Sequence, residues 1–240
     1  MTAPLAGDLL AIYDTLYAAF GHQNWWPAET AFETMIGAIL TQSVSWANAS
    51  CAIGNLEAAG LLDPEMLAGA DTGDIARLII PSRFYNQKAE RIGEFAGIYI
   101  EEFQADPAVM AAMETDALRE RLLDIRGFGK ETVDSILLYA CNKPVFVVDA
   151  YTRRIFSRYG FLPEKASYDR MQRLFADTLP PDVDLFNDYH AQIVRLGKTA
   201  CRKSPLCDRC PIRVIGGSLR CAATLRQAPG SGADRLPGGR

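Results

Sequence analysis

The sequence lacks a long apolar run: no segment approaches the ~18 consecutive apolar residues that a membrane span needs. Its N-terminus lacks the basic stretch and the cleavage site of a secretory signal. Histidine is scarce, with two residues in 240, so a metal site or triad built on histidine has no support, and His190 is only a weak candidate. We therefore expect no membrane partner and a cytoplasmic protein.

Basic residues are missing from the first part of the chain. No Lys or Arg occurs among the first 76 residues, which carry nine acids, whereas residues 195–226 carry eight basic residues and a single acid, Asp208. The net charge of −4 hides this asymmetry. Such an asymmetry favours a polyanion bound by one face, although a solvated basic segment without a ligand explains it equally well.

Alternation of apolar and polar residues is also scarce, and residues 144–148 form the only β-like run. Apolar residues instead recur at helical spacing, in the stripes Phe32, Met35, Ile36, Ile39 and Leu40; Leu118, Leu122 and Ile125; and Val133, Ile136, Leu137 and Ala140. The pattern predicts an all-α protein. A content of 49% apolar and 22% charged residues excludes a disordered or fibrous chain. The length fits one large domain or two intimate lobes. The Gly- and Pro-rich residues 227–240 are expected to form a disordered tail.

Four of the six cysteines lie within 21 residues, at Cys201, Cys207, Cys210 and Cys221. In a reducing compartment, this density favours a metal or cluster site over disulfides. Thiolates suit zinc and an iron–sulfur cluster equally, although the single CxxC lacks the paired spacing of a zinc ribbon. Four unrelated thiols are the remaining alternative. Cys51 and Cys141 stand alone in apolar helical patterns, which predicts two core thiols.

Residues 117–140 have the pattern of a helix, a four-residue break and a second helix. In the break, Gly127 and Gly129 flank Phe128, which permits a tight turn anchored by the aromatic ring. The turn opens onto a helix N-terminus, where unpaired N–H groups bind phosphate without reading bases, and Lys130 adds a positive charge. The alternative is an ordinary helix–helix corner in which glycine caps a helix C-terminus.

Four stretches together resemble the endonuclease III (HhH-GPD) superfamily of DNA glycosylases. They are IRGFGKETVDSILLYA followed by VFVVDAYTRRIF, the early helix MIGAILTQSVSW, the segment PSRFYNQKAERI and the late cysteine cluster. Because several motifs occur in the family's order, the resemblance is far more specific than any one of them. It covers about residues 25–221 and implies two helical lobes with a DNA-binding cleft between them. Residues 30–142 would form the lobe that ends in the helix-hairpin-helix, and residues 1–29 plus 143–226 the second lobe, with a cluster loop at 201–221.

The resemblance implies that Asp149 is the catalytic aspartate, which stabilises the positive charge that develops on the sugar. Without it, Asp149 would be interpreted as a helix N-cap, and the two roles are compatible. The bifunctional relatives carry a lysine two residues after the hairpin, where this chain has Glu131. A carboxylate cannot form an imine, and the neighbouring Lys130 points about 100° away on a helix. We therefore expect a monofunctional hydrolase of N-glycosyl bonds with little or no AP-lyase activity, in which Glu131 helps to position water.

The chain's three tryptophans are Trp25, Trp26 and Trp46. The usual fate of tryptophan is the core. Together with Glu131 and FYNQKA, however, they resemble most the 3-methyladenine DNA glycosylase III branch, in which aromatic residues line the base pocket. An aromatic slot suits an alkylated purine because such a base is cationic. Lys198 is expected at the pocket wall or, with its basic neighbours, on a phosphate.

The family match further implies that Gln42 fills the space left by a flipped base and that Phe84 wedges beside the orphaned partner. A polar helix end and a core phenylalanine are the respective alternatives. The four clustered cysteines would hold one 4Fe–4S centre, although their spacing, C-x5-C-x2-C-x10-C, departs from the family's C-x6-C-x2-C-x5-C and makes Cys221 the ligand most in question.

The sequence thus predicts a monomeric, nucleoid-associated base excision repair enzyme that removes alkylated purines from double-stranded DNA. A glycosylase for oxidised or mismatched bases is the second hypothesis. A non-catalytic helix-hairpin-helix DNA-binding protein is the third.

Overall fold

The computed structural model describes residues 6–215 and 219–221, so the predicted tail at 227–240 lies outside the described residues. Within them, short loops join the helices α1 (Ala6–Phe20), α2 (Ala31–Leu40), α3 (Trp46–Ala58), α4 (Pro64–Gly69), α5 (Thr72–Leu78), α6 (Tyr85–Phe103), α7 (Pro107–Ala112), α8 (Thr115–Leu123), α9 (Lys130–Ser135), α10 (Ala150–Arg158), α11 (Tyr168–Ala176) and α12 (Val183–Thr199). Helix α9 continues into a π-helical turn, Ile136–Ala140, and 3-10 turns occupy Ile80–Ser82 and Cys207–Arg209.

Side-chain caps define where most of these helices begin. Thr30, Ser45 and Asp149 accept hydrogen bonds from backbone N–H groups of the first turns of α2, α3 and α10, and similar caps start α4, α5, α7, α11 and α12. Helix α9 differs, because its N-cap residue is Gly129, which offers no side chain to its free N–H groups.

Buried side chains form two hydrophobic clusters. The first runs from Phe32 to Cys141 and contains all three apolar stripes of the sequence, whose members are each less than 9% exposed. The second joins α1 to residues from Leu138 onward, and the Tyr189 hydroxyl of α12 donates a hydrogen bond to the Leu9 carbonyl at 2.8 Å. The candidate site lies where α9, which packs in the first cluster, approaches the start of α10, which packs in the second.

The all-α prediction is confirmed for the described residues, with one small exception. Strands Val214–Ile215 (β1) and Leu219–Arg220 (β2) pair antiparallel between the last two clustered cysteines, in a register that aligns Val214 with Arg220. The run at 144–148 forms no strand. The prediction of a core thiol is right for Cys141 and wrong for Cys51, whose side chain is exposed. None of the described helices combines the length and the apolar character that a bilayer crossing requires.

Candidate active site and DNA interface

Asp149 joins the buried extended segment to α10 and uses one carboxylate oxygen to cap that helix. Its Oδ1 accepts hydrogen bonds from Thr152 N at 2.7 Å and from Thr152 Oγ1 at 2.9 Å. Its Oδ2 makes no such bond and lies 3.7 Å from His190 Nε2. The side chain is 11% exposed. The helix therefore fixes the carboxylate and leaves one of its oxygens available for chemistry.

Glu131 lies in the first turn of α9 and borders a cleft of about 340 Å³. The other residues that line this cleft are Ala38, Thr41, Gln42, Ser43, Gly127, Gly129, Thr132 and Ser135. Glu131 is exposed at the edge of this cleft, although neighbouring atoms partly desolvate its carboxyl group. This desolvation and the nearby Asp149 raise the pKa of Glu131 to about 7, against an opposing effect of Arg153. Glu131, with its raised pKa, thus shares one site with the carboxyl group of Asp149.

Of the two glycines in the hairpin turn between α8 and α9, Gly127 has the positive φ that the sequence predicts and Gly129 does not. Gly127 adopts φ +86°, and a Cβ there would lie 2.2 Å from Arg91 Nε, so only glycine fits. Gly129 has φ −94° and open space where a Cβ would lie. The predicted anchoring role of Phe128 is consistent with its burial and with a ring centroid 5.3 Å from that of Phe95.

Lys130 follows the turn, but its ammonium group is already engaged. It donates to both carboxylate oxygens of Asp169, at 2.7 and 2.6 Å. A phosphate contact by Lys130 would have to share the ammonium with this partner. The hairpin therefore presents mainly the backbone N–H groups at Gly129 and beyond.

Gln42 follows α2 and is held against the hairpin. Its Nε2 donates to Gly127 O at 3.2 Å and to Thr132 Oγ1 at 2.9 Å, while its Oε1 accepts from Arg91 Nη1 at 3.0 Å. The structure therefore places Gln42 beside the cleft and the hairpin turn, and the polar groups of its side chain are paired.

Lys88, in the segment FYNQKA, has a structural role in this part of the site that the sequence analysis missed. Its side chain is 1% exposed, and Nζ donates to the carbonyls of Leu40, Gln42 and Ser82 at 2.8, 2.9 and 2.7 Å. Burial, with a smaller effect of Arg91, lowers the pKa of Lys88 to about 8. One ammonium group thus joins the turn that carries Gln42 to the loop that carries Phe84.

Phe84 lies at the tip of that loop and is 62% exposed, so it is not a core phenylalanine. It adopts φ 45° and Arg83 adopts φ 55°, a left-handed conformation that is unfavourable for residues with a Cβ. A large apolar side chain is thereby held out in solvent by a strained loop anchored through Lys88.

Trp25, Trp26 and Trp46 pack together as a half-buried aromatic cluster, with ring centroids 4.9 to 5.7 Å apart. The ring of Tyr139 extends this cluster at 5.3 Å from Trp26. Lys198 Nζ lies 5.7 Å from the centroid of Trp25. Partial burial lowers the pKa of Lys198, and Asp149 opposes this effect. The predicted pocket residues therefore lie together, near Asp149.

Asp188 of α12, which the sequence analysis missed, anchors the loop that carries the tryptophans. It is 3% exposed, and it accepts hydrogen bonds from Gln23 N at 2.9 Å and from Gln192 Nε2 at 3.1 Å. Gln192 Nε2 also donates to Gly21 O at 2.7 Å. The sequence gives no indication of this link, because Gln23 and Asp188 are 165 residues apart.

The four clustered cysteines line a single cavity with Tyr159, Leu196, Ala200 and Pro205. Arg158 Nη1 donates to Cys201 Sγ at 3.2 Å, while burial raises the pKa of Cys210 to about 11. The space that they enclose is about 10 Å³. Among the described residues, no three His, Cys, Asp or Glu side chains are grouped to hold a single metal ion.

Comparisons with known proteins agree with this arrangement. The family described as "HhH-GPD superfamily base excision DNA repair protein" matches residues 36–181. A Methanocaldococcus jannaschii protein named "Putative DNA repair glycosylase MJ1434" is 47% identical over 204 residues, which cover 84% of this chain and 92% of that protein. Endonuclease III of Sulfolobus acidocaldarius is 31% identical over 183 residues, covering 76% and 79% of the two chains.

Two solved structures are similar in fold. The H. pylori 3-methyladenine DNA glycosylase MagIII, bound to 1,N6-ethenoadenine, superposes with a TM-score of 0.68 and 29% identity, covering 80% of this chain and 96% of that one. An endonuclease III–DNA complex superposes with a TM-score of 0.77 and 18% identity, covering 93% and 98%. From the matched family and these relatives, the chain belongs to the HhH-GPD superfamily of base excision DNA repair proteins and is a DNA glycosylase.

Proposed function

We propose that this DNA glycosylase is monofunctional and excises alkylated purines of the 3-methyladenine type from double-stranded DNA. The observation that carries the proposal is the three-tryptophan cluster beside Asp149, in a site that has Glu131 where bifunctional relatives have a lysine. The H. pylori 3-methyladenine DNA glycosylase, which is similar over most of this chain, was solved with 1,N6-ethenoadenine bound.

Asp149 supplies the main catalytic charge. As the N-glycosidic bond breaks, positive charge develops at C1′, and the fixed Oδ2 lies in a site where a carboxylate stabilises that charge. A cationic alkylpurine leaves as a neutral base with the bond's electron pair, so no acid needs to protonate it. Water then adds to C1′, and its proton passes to a carboxylate, for which Glu131 is suited because its pKa is near 7.

The aromatic cluster supplies the selectivity for the base. An indole face favours a cation over its neutral parent by about 0.5–2 kcal/mol, which corresponds to roughly 2- to 30-fold in binding. Lys198 already places an amine 5.7 Å from the centroid of Trp25.

The monofunctional assignment rests on the engagement of the nearby amines. Lys130 is paired with Asp169, Lys88 is enclosed by three carbonyls, and position 131 is a glutamate. Among the described residues, Lys198 is the remaining amine that acts on Asp149, and its Nζ lies over the Trp25 ring. We therefore propose hydrolysis without a Schiff base at C1′.

DNA binding combines backbone contacts at the hairpin with insertion of side chains at the flipped base. The uncapped start of α9 suits a phosphate, Gln42 borders the cleft, and Phe84 is exposed on the same Lys88-linked assembly. Basic residues near the cysteine loop, among them Arg202 and Lys203, would add phosphate contacts.

We also propose that Cys201, Cys207, Cys210 and Cys221 hold one 4Fe–4S cluster. Four thiols around one cavity are the ligand set that such a cluster requires, and Arg158 would offset part of the negative charge of the thiolates. When bound, the cluster would supply structural cohesion to the loop 201–221. Purified protein is expected to contain ~4 Fe per chain and to absorb near 400 nm; zinc without iron would contradict this assignment.

The main test compares single-turnover excision from duplexes that contain 7-methylguanine, ethenoadenine or thymine glycol. Asp149→Asn should slow excision by about 10²- to 10³-fold, corresponding to ~3–4 kcal/mol, without weakening lesion binding. Trp46→Ala should reduce 7-methylguanine recognition more than ethenoadenine recognition, while Trp46→Phe should retain most of it. Preferred excision of thymine glycol would favour the oxidised-base alternative, and full activity of Asp149→Asn would refute the mechanism.

Borohydride trapping tests the absence of lyase chemistry. The parent protein should give no covalent DNA adduct, whereas Glu131→Lys should give one if position 131 faces C1′. An adduct with the parent protein that disappears in Lys198→Met would show that Lys198 serves as a nucleophile and would overturn the monofunctional assignment.

A further inference from the structure

His190 of α12 is a buried histidine that directly faces the catalytic carboxylate. It is 5% exposed, and its Nε2 lies 3.7 Å from Asp149 Oδ2 without a hydrogen-bond partner among the described residues. On the other side of the ring, Nδ1 lies 2.5 Å from the Tyr139 hydroxyl. A buried polar atom without a partner is costly, so its position beside Oδ2 calls for an explanation.

The contacts of the ring favour one of its two neutral tautomers. If Nδ1 carried the proton, the lone pair of Nε2 would face a carboxylate oxygen, which is repulsive. If Nε2 carries the proton, Tyr139 can donate its O–H to Nδ1, and the N–H dipole of Nε2 points towards Asp149. The second arrangement gives the Tyr139 hydroxyl an acceptor and points both the Tyr139 O–H and the His190 N–H towards the carboxylate of Asp149.

We propose that His190 is a positioning residue for Asp149: its neutral Nε2–H closes onto Oδ2 in the substrate complex, with the Tyr139 hydroxyl fixing the tautomer. The proposal rests on the catalytic role proposed above for Asp149. Oδ1 is held by Thr152, so a second donor at Oδ2 would lock the plane of the carboxylate and leave its remaining lone pairs for the sugar.

The groups around His190 keep it uncharged. Asp149 faces it from α10 and favours the imidazolium, whereas Lys198 on its own helix opposes it, and the Tyr139 hydroxyl contacts its Nδ1. Burial outweighs these charges and lowers the pKa of His190. A neutral ring also suits the chemistry, because an imidazolium would neutralise the charge that Asp149 must present to C1′.

Tyr139 connects His190 and Asp149 to the proposed base pocket. Its ring lies 5.3 Å from that of Trp26, and its hydroxyl contacts His190. The Tyr139→Phe variant therefore retains the aromatic packing and removes only the group that selects the tautomer.

Nitrogen-15 NMR of the histidine-labelled full-length protein tests the tautomer directly. The chain has two histidines, and His22→Gln assigns the signals of His190. We expect a neutral, Nε2-protonated ring from pH 6 to pH 8 and mixed tautomers in Tyr139→Phe. An Nδ1-protonated ring, or an imidazolium at pH 7, would overturn the proposal.

Single-turnover excision tests the positioning role. His190→Leu should slow base release from a 7-methylguanine duplex by about 10- to 100-fold without changing duplex affinity, and should have little further effect in an Asp149→Asn background. Tyr189→Phe removes a neighbouring buried hydroxyl that contacts Leu9 and should match the parent rate. An unchanged rate in His190→Leu, or an equal loss in the Asp149→Asn background, would refute the role. Full activity of Asp149→Asn alone would instead refute the proposed catalytic role.

Discussion

The substitution Lys88→Met removes the ammonium group of Lys88 but retains an aliphatic side chain of similar length. Methionine fills nearly the same volume, so the packing of α6 against the first cluster is retained. What is lost is the donor that serves three carbonyls, at Leu40, Gln42 and Ser82. The bonds to Leu40 and Ser82 are fully buried, whereas that to Gln42 is partly open to water.

The magnitude follows from this difference in burial. Each buried carbonyl left without a partner costs about 1–3 kcal/mol, so the two enclosed carbonyls together predict a loss of ~2–6 kcal/mol. Water can serve the third carbonyl at little cost. Because the free energy of unfolding of a whole domain is about 5–15 kcal/mol, Lys88→Met should be among the most destabilising single changes outside the apolar core.

Urea unfolding at pH 7 measures this loss as a lowered midpoint with an unchanged slope. Amide hydrogen exchange should locate it, with protection lost first at 41–44 and 80–84, where Gln42 and Phe84 lie. Lys165→Met, on an exposed loop, is the matched control and should leave stability within ~0.5 kcal/mol of the parent. A loss below about 1 kcal/mol for Lys88→Met would refute the reasoning, because the carbonyls would then have other partners.

Three further variants test other parts of the site. Asp188→Asn should loosen the tryptophan loop and reduce lesion discrimination in competition binding, while the exposed Asp184→Asn on the same helix should not. Gly129→Ala fits sterically but places a methyl group before a phosphate, so it should weaken binding to all duplexes and reduce the salt dependence by about one phosphate contact; Gly97→Ala is its control. In the folded protein the pKa of Glu131 is about 7 rather than 4.5, so the parent protein loses stability as the pH rises through that window. Glutamine at this position does not titrate, so the melting temperature of Glu131→Gln relative to the parent should increase from pH 4.5 to pH 8. A constant difference would contradict this linkage.

The helices could be predicted because their apolar stripes are local patterns. Phe32, Met35 and Ile36 reveal a buried face whatever lies on the other side of it. The prediction that Cys51 is buried was wrong because of its position on the helix. The buried residues of α3 are Ala49, Ala52, Ile53 and Leu56, and Cys51 lies outside the stripe that they form. An apolar residue in a helix is informative only when its register with its neighbours is considered.

The polar anchors of the site could not be predicted in this way. Lys88 binds backbone carbonyls, which every residue possesses, and its partner Leu40 is 48 residues away. Nothing in residue identity distinguishes those carbonyls from any others, so the contact exists only once the helices have packed. The same holds for Asp188 and the backbone of Gln23. Side chains that act on substrate can be recognised in the sequence by a motif, whereas a side chain that positions the backbone is a single charged residue whose partner the sequence does not reveal.

Asp149 caps α10 and has a proposed catalytic role, and its geometry makes the two roles separable. Thr152 occupies Oδ1, so an asparagine at 149 can keep its oxygen at the cap and place its amide nitrogen at the position of Oδ2. The helix should therefore persist in Asp149→Asn, because asparagine is as good an N-cap as aspartate. A loss of excision in that variant, with an unchanged melting temperature, would come from the missing charge at C1′ rather than from a frayed α10. Asp149→Ala should lose the cap as well, at about 1 kcal/mol, and the difference in stability between the two variants measures the structural role alone.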